Sequence, residues 1–159
     1  MKILYIALLT LVTTTANAEW HTEIKEDLMT GEKYGIVATH STIDDDDYLA
    51  VQCRREILVG VTYKWANLSE NRISFLYRFD KETAVKKNGS STASEDTILI
   101  DGVDSFISKL LKHLKVAFRV EDFKGEEHDS LFALIGFRRA FAKACSWHID
   151  YDYHLDYDS

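Results

Sequence analysis

Alternation of apolar and polar residues, repeated in segment after segment, is the strongest constraint on the fold of this chain. Leu49, Val51 and Cys53 share one parity while Gln52 and Arg54 take the other. Ile57, Val59, Val61, Tyr63 and Trp65 form a second apolar row, and Ile73, Phe75, Tyr77 and Phe79 a third. Period two places each row on one face of a β-strand. Strands are also expected at Trp20–Ile24, Tyr34–His40, Thr97–Ile100, Val116–Phe123 and Leu131–Ile135. Turns are expected at Thr30-Gly31-Glu32, at Asn88-Gly89 within Lys86–Ser94, and at Gly125–Asp129.

Helical spacing is confined to two late stretches. Phe106, Ile107, Leu110, Leu111 and Leu114 recur at that spacing, with Asp104 as the expected N-cap and Lys109, Lys112 and Lys115 opposite. A core-packed helix is favoured there over a membrane-surface one. Phe137, Ala140, Phe141 and Ala144 form the second stripe, with Gly136 before it and Cys145 at its end. Strands first and helices late, without βαβ alternation, predict an α+β domain built on a mainly antiparallel sheet or sandwich.

The N-terminus reads as a secretory signal peptide. Lys2 precedes an apolar run from Ile3 to Val12, and Ala16-Asn17-Ala18 is an A-x-A cleavage pattern before Glu19-Trp20. A membrane span needs about twenty apolar residues, twice what this run supplies. Removing 18 of the 159 residues leaves 141, enough for one domain with one core. The expected layout is signal peptide 1–18, a single β-rich domain 19–147 and a tail 148–159. No further membrane insertion is expected after cleavage. The product is expected in the periplasm or secreted.

The formal charge is −7, and loss of Lys2 makes the mature chain −8. That balance speaks against nucleic acid as a partner. The two cysteines, Cys53 and Cys145, are an even count in an exported chain, which suggests a bridge closing roughly ninety residues. Two unpaired buried thiols are the alternative. Neither cysteine follows the cleavage site directly, so neither is placed to carry a lipid.

No nucleophile elbow, zinc-protease helix, P-loop or dinucleotide fingerprint occurs. No catalytic residue and no cofactor is indicated. Asp44–Asp47 offers oxygen ligands for calcium but lacks the EF-hand spacing, so a solvated turn is the expectation. Glu126-Glu127-His128-Asp129 is likewise expected as a solvated turn. Asn67-Leu68-Ser69 and Asn88-Gly89-Ser90 are glycosylation patterns that matter only in a eukaryotic secretory pathway.

The tail holds an imperfect six-residue repeat, His148-Ile149-Asp150-Tyr151-Asp152-Tyr153 and His154-Leu155-Asp156-Tyr157-Asp158. If extended, its His and Asp residues share one face, and His148, Asp150, His154 and Asp156 are candidate metal ligands. Tyr151, Tyr153 and Tyr157 share the other face and are candidate partner contacts. An added edge or partner strand, a disordered terminus and a metal site are the three readings of this segment.

From Trp20 to Trp147 the chain resembles the small exported proteins of the VasI/TagO-like group associated with type VI secretion, and related bacterial or prophage periplasmic proteins. The resemblance rests on order and spacing: Trp20 before Asp27-Leu28-Met29-Thr30-Gly31, then Leu49–Arg54, Val59–Trp65, Tyr77-Arg78-Phe79-Asp80, Phe106–Leu114, Val116–Val120, and Leu131–Gly136 leading to Ala144-Cys145-Ser146-Trp147. It implies an envelope protein with a compact β-rich domain and a Cys53–Cys145 pair, and carries over no catalytic residue. Asp27-Leu28 stands where the group usually has aspartate-proline, and Lys87-Asn88-Gly89-Ser90 lacks its usual tryptophan.

Three functions compete on these grounds. The first is a non-enzymatic periplasmic binding or accessory protein for an envelope partner, with sheet edges and the tail as contact surfaces. The resemblance implies an envelope-spanning secretion apparatus as its setting. The second is a secreted inhibitor or phage-encoded exclusion factor working through an exposed loop, Asp44–Asp47 or Ser90–Ser94. The third is an envelope hydrolase with a site assembled from distant positions. The first is favoured.

Overall fold

The computed structural model describes residues 19–64, 66, 68, 72–92, 94 and 96–146. The expected signal peptide, the tail from residue 148, Trp65 and Trp147 lie outside the described residues. Among the described residues nine strands are formed: β1 (His21–Glu26), β2 (Lys33–His40), β3 (Tyr48–Cys53), β4 (Ile57–Thr62), β5 (Arg72–Phe79), β6 (Val85–Ser91), β7 (Thr97–Ile100), β8 (Lys115–Glu121) and β9 (Glu127–Ala133). Helix α1 (Val103–Leu110) joins β7 to β8, and α2 (Phe137–Cys145) comes after β9. The protein is thus the expected α+β fold with a mainly antiparallel sheet, two late helices and a Cys53–Cys145 disulfide.

The strands form one sheet in the order β1-β2-β3-β4-β7-β6-β5-β8-β9, antiparallel at every junction. After β4 the chain skips two places to lay down β5, then returns through β6 and β7. The sheet curls until its last strand meets the loop after its second. Thr42 donates through its backbone N–H and its hydroxyl to the Leu131 carbonyl, at 2.7 and 3.1 Å. The Leu131 N–H donates to Ser41 Oγ at 3.2 Å. Strands β2–β5 and β7–β9 can then contribute one face each to a single core, in which Val37, Leu49, Val51 and Val61 meet Phe75, Phe118 and Phe132.

The parity rows behave as expected in β3, β4 and β5, apart from a half-buried Tyr77. In β1, at the edge of the sheet, the alternation fails at Ile24, which is half exposed. Further expectations are corrected. Asn88-Gly89 is no turn but lies inside β6, where Gly89 pairs with Ile73 and Ile100. A Cβ on Gly89 would strike the Leu99 carbonyl oxygen and sit 2.8 Å from Ile98 Cγ2, so glycine here serves close strand packing. Ser90 and Ser91 also belong to β6 and pair with Leu99 and Ile98, so Ser90–Ser94 is not the free loop expected. The β8–β9 turn runs from Asp122 to Glu126, so Glu127, His128 and Asp129 are strand residues.

In α1, Gly102 in the left-handed conformation (φ 67°) is the N-cap, while Asp104 sits in the first turn. The helix ends at Leu110; Leu114 is exposed and Lys115 opens β8, so only Lys109 meets the helix C-terminus. Phe106, Ile107 and Leu110 are buried, the core-packed alternative. Phe106 stacks among Tyr77, Phe79 and Phe118 with ring centroids 5.3, 5.3 and 5.9 Å away.

Gly35 explains how α2 is seated. It pairs with Cys53 across β2 and β3, and a Cβ there would overlap the Ala144 carbonyl. The missing side chain lets the α2 backbone lie on the sheet beside Cys53, with Cys145 one residue on. The two cysteine Cα atoms are 5.7 Å apart, within the range a bridge requires.

Candidate functional site

Two places on the surface depart from what a folded domain needs for itself: the β1–β2 turn, and the sheet end where residues 41–47 meet the β8–β9 hairpin. In the turn, Leu28 and Met29 are 99% and 93% exposed. Nothing among the described residues covers them, yet the turn beneath them is tightly held. Asp27 Oδ1 accepts the Met29 and Thr30 amides at 2.9 and 3.0 Å. The Gly31 N–H donates to the Asp27 carbonyl and the Asp27 N–H to the Glu32 carbonyl, both at 2.8 Å. Gly31 takes the left-handed conformation (φ 68°) that closes the turn.

Arg54, just past the end of β3, braces this turn from below. Its Nη2 donates to Asp27 Oδ2 at 2.7 Å and its Nε to Glu32 Oε2 at 3.2 Å, while Arg55 Nε donates to Glu32 Oε1 at 3.1 Å. The Met29 and Thr30 amides, with help from Arg54, hold the Asp27 carboxyl below the usual carboxylate range. Two large apolar side chains are thus presented on a fixed platform. Sequence reasoning found the turn but not this role. The available signal was Leu28-Met29 standing between polar residues inside a turn, where apolar side chains have no core to enter.

At the sheet end, the acidic run is only partly the solvated turn expected. Asp44, Asp45 and Asp46 are exposed, but Asp47 retains 5% exposure. Burial, reinforced by the Asp44 charge, pushes the Asp47 carboxyl up to about 6, against a hydrogen bond from the Lys64 amide. Ser41 organises the loop: its Oγ accepts the Ile43, Asp44 and Leu131 amides at 3.3, 3.4 and 3.2 Å. Asp46 pairs with Lys64 at 2.7 Å.

Across from this loop, Asp122 Oδ1 accepts the Lys124 and Glu126 amides at 2.8 and 2.9 Å, and Oδ2 lies 3.2 Å from His128 Nε2. The Glu126 amide is the main influence holding the Asp122 carboxyl below its usual range. The His128 ring lies 6.4 Å from that of Tyr63, whose phenol is pushed up by burial and accepts a hydrogen bond from Ser130 Oγ at 3.2 Å. A Ser, His and Asp thus share this end of the sheet without forming a nucleophilic site. Ser130 is 1% exposed and its hydroxyl is spent on Tyr63.

The outer face of β5, β8 and β9 forms a shallow groove of about 560 Å³ lined in part by Arg72, Lys86, Arg119 and Glu127. Its central cation is committed: Arg119 forks onto Asp129 at 2.6 Å through both Nε and Nη2, and reaches Glu127 at 3.2 Å. The edge strands expected as contact surfaces are guarded. Thr42 and Ser41 hold β9, and β1 carries Glu23, Lys25 and Glu26, charges of the kind that discourage strand addition. Cys53 and Cys145 are joined as a structural bridge. His148, Asp150, His154 and Asp156, and Tyr151, Tyr153 and Tyr157, lie outside the described residues. Asn88 of one glycosylation pattern is inside β6, where its Oδ1 accepts the Ser74 hydroxyl at 2.8 Å.

Among the described residues no helix is long and apolar enough to cross a membrane. No family model, no curated protein and no solved structure matches the chain.

Proposed function

We propose that the protein is a non-enzymatic binding or accessory module, exported to the periplasm, whose Leu28–Met29 turn anchors it in an apolar pocket of an envelope protein. The observation that carries this reading is the near-complete exposure of both side chains on a turn braced by Asp27, Arg54 and Glu32. Burying a leucine or methionine is worth about 1.5–3 kcal/mol each. A pre-organised turn loses little further entropy on docking, so more of that gain appears as affinity. A bilayer is the poorer occupant. Two side chains give only marginal membrane affinity, and a mature chain of net charge −8, the full chain's −7 less the Lys2 charge, has no general attraction to anionic lipid.

The disulfide accords with an oxidising compartment. The sequence resemblance suggests an envelope-spanning secretion apparatus as the setting. A secreted inhibitor or exclusion factor is the second reading, because a rigid loop with exposed apolar residues also suits occupation of an enzyme or receptor pocket. Its working part would be this turn rather than Asp44–Asp47 or Ser90–Ser94.

The test is affinity capture from an envelope fraction with the wild-type protein and a Leu28→Asp/Met29→Asp variant. A protein retained by the wild type and lost by the variant supports the reading; identical sets of retained proteins contradict it. Gene neighbours encoding a secretion apparatus favour the first setting, and phage genes the second.

A further inference from the structure

The hairpin between β8 and β9 brings three metal-ligating side chains of different chemistry to one point. Ligand atoms of Asp122, Glu126 and His128 all lie within 4.8 Å of one another. We propose that these three residues bind a divalent transition-metal ion of the Zn²⁺ class.

The hairpin turn builds the site. The Asp122 N–H donates to the Glu126 carbonyl at 2.9 Å, and the Gly125 N–H to the Asp122 carbonyl at 3.0 Å, which folds the chain back on itself within five residues. Asp122 is 8% exposed and its Oδ1 is fixed by the two turn amides, which leaves Oδ2 directed at the imidazole. His128 is held in turn by its place in β9 and by the neighbouring Tyr63 ring. Oδ2 and Nε2 therefore stand 3.2 Å apart. Two ligands of a tetrahedral zinc ion, each bonded at about 2.0–2.1 Å, are separated by about 3.3 Å. The pair is thus spaced as two vertices of such a site. Glu126 is exposed, so its carboxylate is free to close the third position by rotation about its side-chain bonds.

The imidazole separates this cluster from a patch of surface carboxylates. Calcium takes six to eight oxygen ligands and magnesium keeps an octahedral shell of oxygens, whereas one imidazole with two carboxylates suits zinc, nickel or manganese. Asp47 and the exposed Asp44 and Asp45 add negative charge at the same end of the sheet, which favours a cation there. Three protein ligands leave a coordination position for water or for a group from a partner. This inference does not depend on the role of the Leu28–Met29 turn.

The test is isothermal titration of the full mature chain with ZnCl₂. A His148→Asn/His154→Asn background removes the tail imidazoles from the count. Two variants probe the site: His128→Asn, which keeps a donor toward Asp122, and Glu126→Gln, which changes an exposed side chain. One ion per chain is expected, with affinity falling about tenfold or more in each variant. The zinc-dependent rise in unfolding temperature should shrink in parallel, while the metal-free unfolding temperature stays close to that of the background chain. Absence of binding, or binding that both variants leave unchanged, overturns the site. A loss confined to one variant overturns the three-ligand assignment.

Discussion

Asp47 shows how a side chain's neighbours, not its sequence run, decide its chemistry. Three residues of Asp44–Asp47 are solvated, while the fourth is buried where the loop meets Lys64 and the β8–β9 hairpin. Its carboxyl is raised from 3.8 to about 6, so the folded state holds its proton more tightly than the unfolded state. The stability this supplies is complete below pH 3.8 and is lost as pH rises through about 6. The change amounts to at most about 3 kcal/mol. Asp47→Asn keeps an acceptor for the Lys64 amide and removes the titration. Relative to wild type it should therefore gain stability between about pH 4 and 6.5, measured by urea unfolding; parallel stability curves would contradict the assignment. Gly89→Ala should cost about 2 kcal/mol or more, because its Cβ meets the Leu99 carbonyl, Ile98 and Phe75 within two strand junctions. An unchanged urea midpoint would show that β6 has room there. Neither residue was legible from sequence. Asn-Gly has the chemistry of a hairpin turn, and only the pairing of β6 on both sides turns its glycine into a packing residue. The burial of Asp47 likewise depends on a hairpin some eighty residues further along.

At the scale of elements, the period-two rows located β3, β4 and β5 and the period-3.6 stripes located both helices, because each pattern reflects burial of one face. Boundaries were less readable. The α1 stripe continues to Leu114, but the chain leaves the helix at Leu110 because Asp80 captures the next turn. Asp80 Oδ1 accepts the Leu114 and Lys115 amides at 3.1 and 3.0 Å, and Oδ2 pairs with His113 Nδ1 at 2.9 Å. Burial pushes the Asp80 carboxyl up, but these hydrogen bonds outweigh it and hold the group below its ordinary value. The seat of α2 depends on Gly35 and the bridge together. Gly35→Ala should displace the helix from β2, leaving both thiols reactive toward a thiol-specific dye. A fully unreactive pair in the variant would mean that α2 docks without the close approach. Reduction of the wild-type bridge should cost about 4.6 kcal/mol in the chain-entropy view, read as a lower urea midpoint.

For the whole molecule, the fold class was legible and the strand order was not. Placing β5 three positions from β4 is a long-range choice, and local alternation carries no record of it. The same holds for the apolar turn and the metal-ligating hairpin. Leu28 and Met29 stand out only because the folded domain leaves them uncovered, and Asp122 joins His128 only through the hairpin register. The molecule divides its labour accordingly. The curled sheet, the two helices and the bridge form the folded body, and the β1–β2 turn is the contact surface we propose. Because that body leaves both side chains in solvent, replacing Leu28 and Met29 with aspartate should shift stability by no more than about 0.5 kcal/mol. The most direct measurement places a photo-crosslinking amino acid at position 29 of the protein expressed in its native cells and compares it with the same probe at Lys86, on the outer groove. A crosslink to one discrete envelope protein from position 29, abolished by Leu28→Asp and not obtained from position 86, is the predicted result. No adduct from position 29, or the same adducts from both positions, would contradict the claim that this turn is the binding anchor.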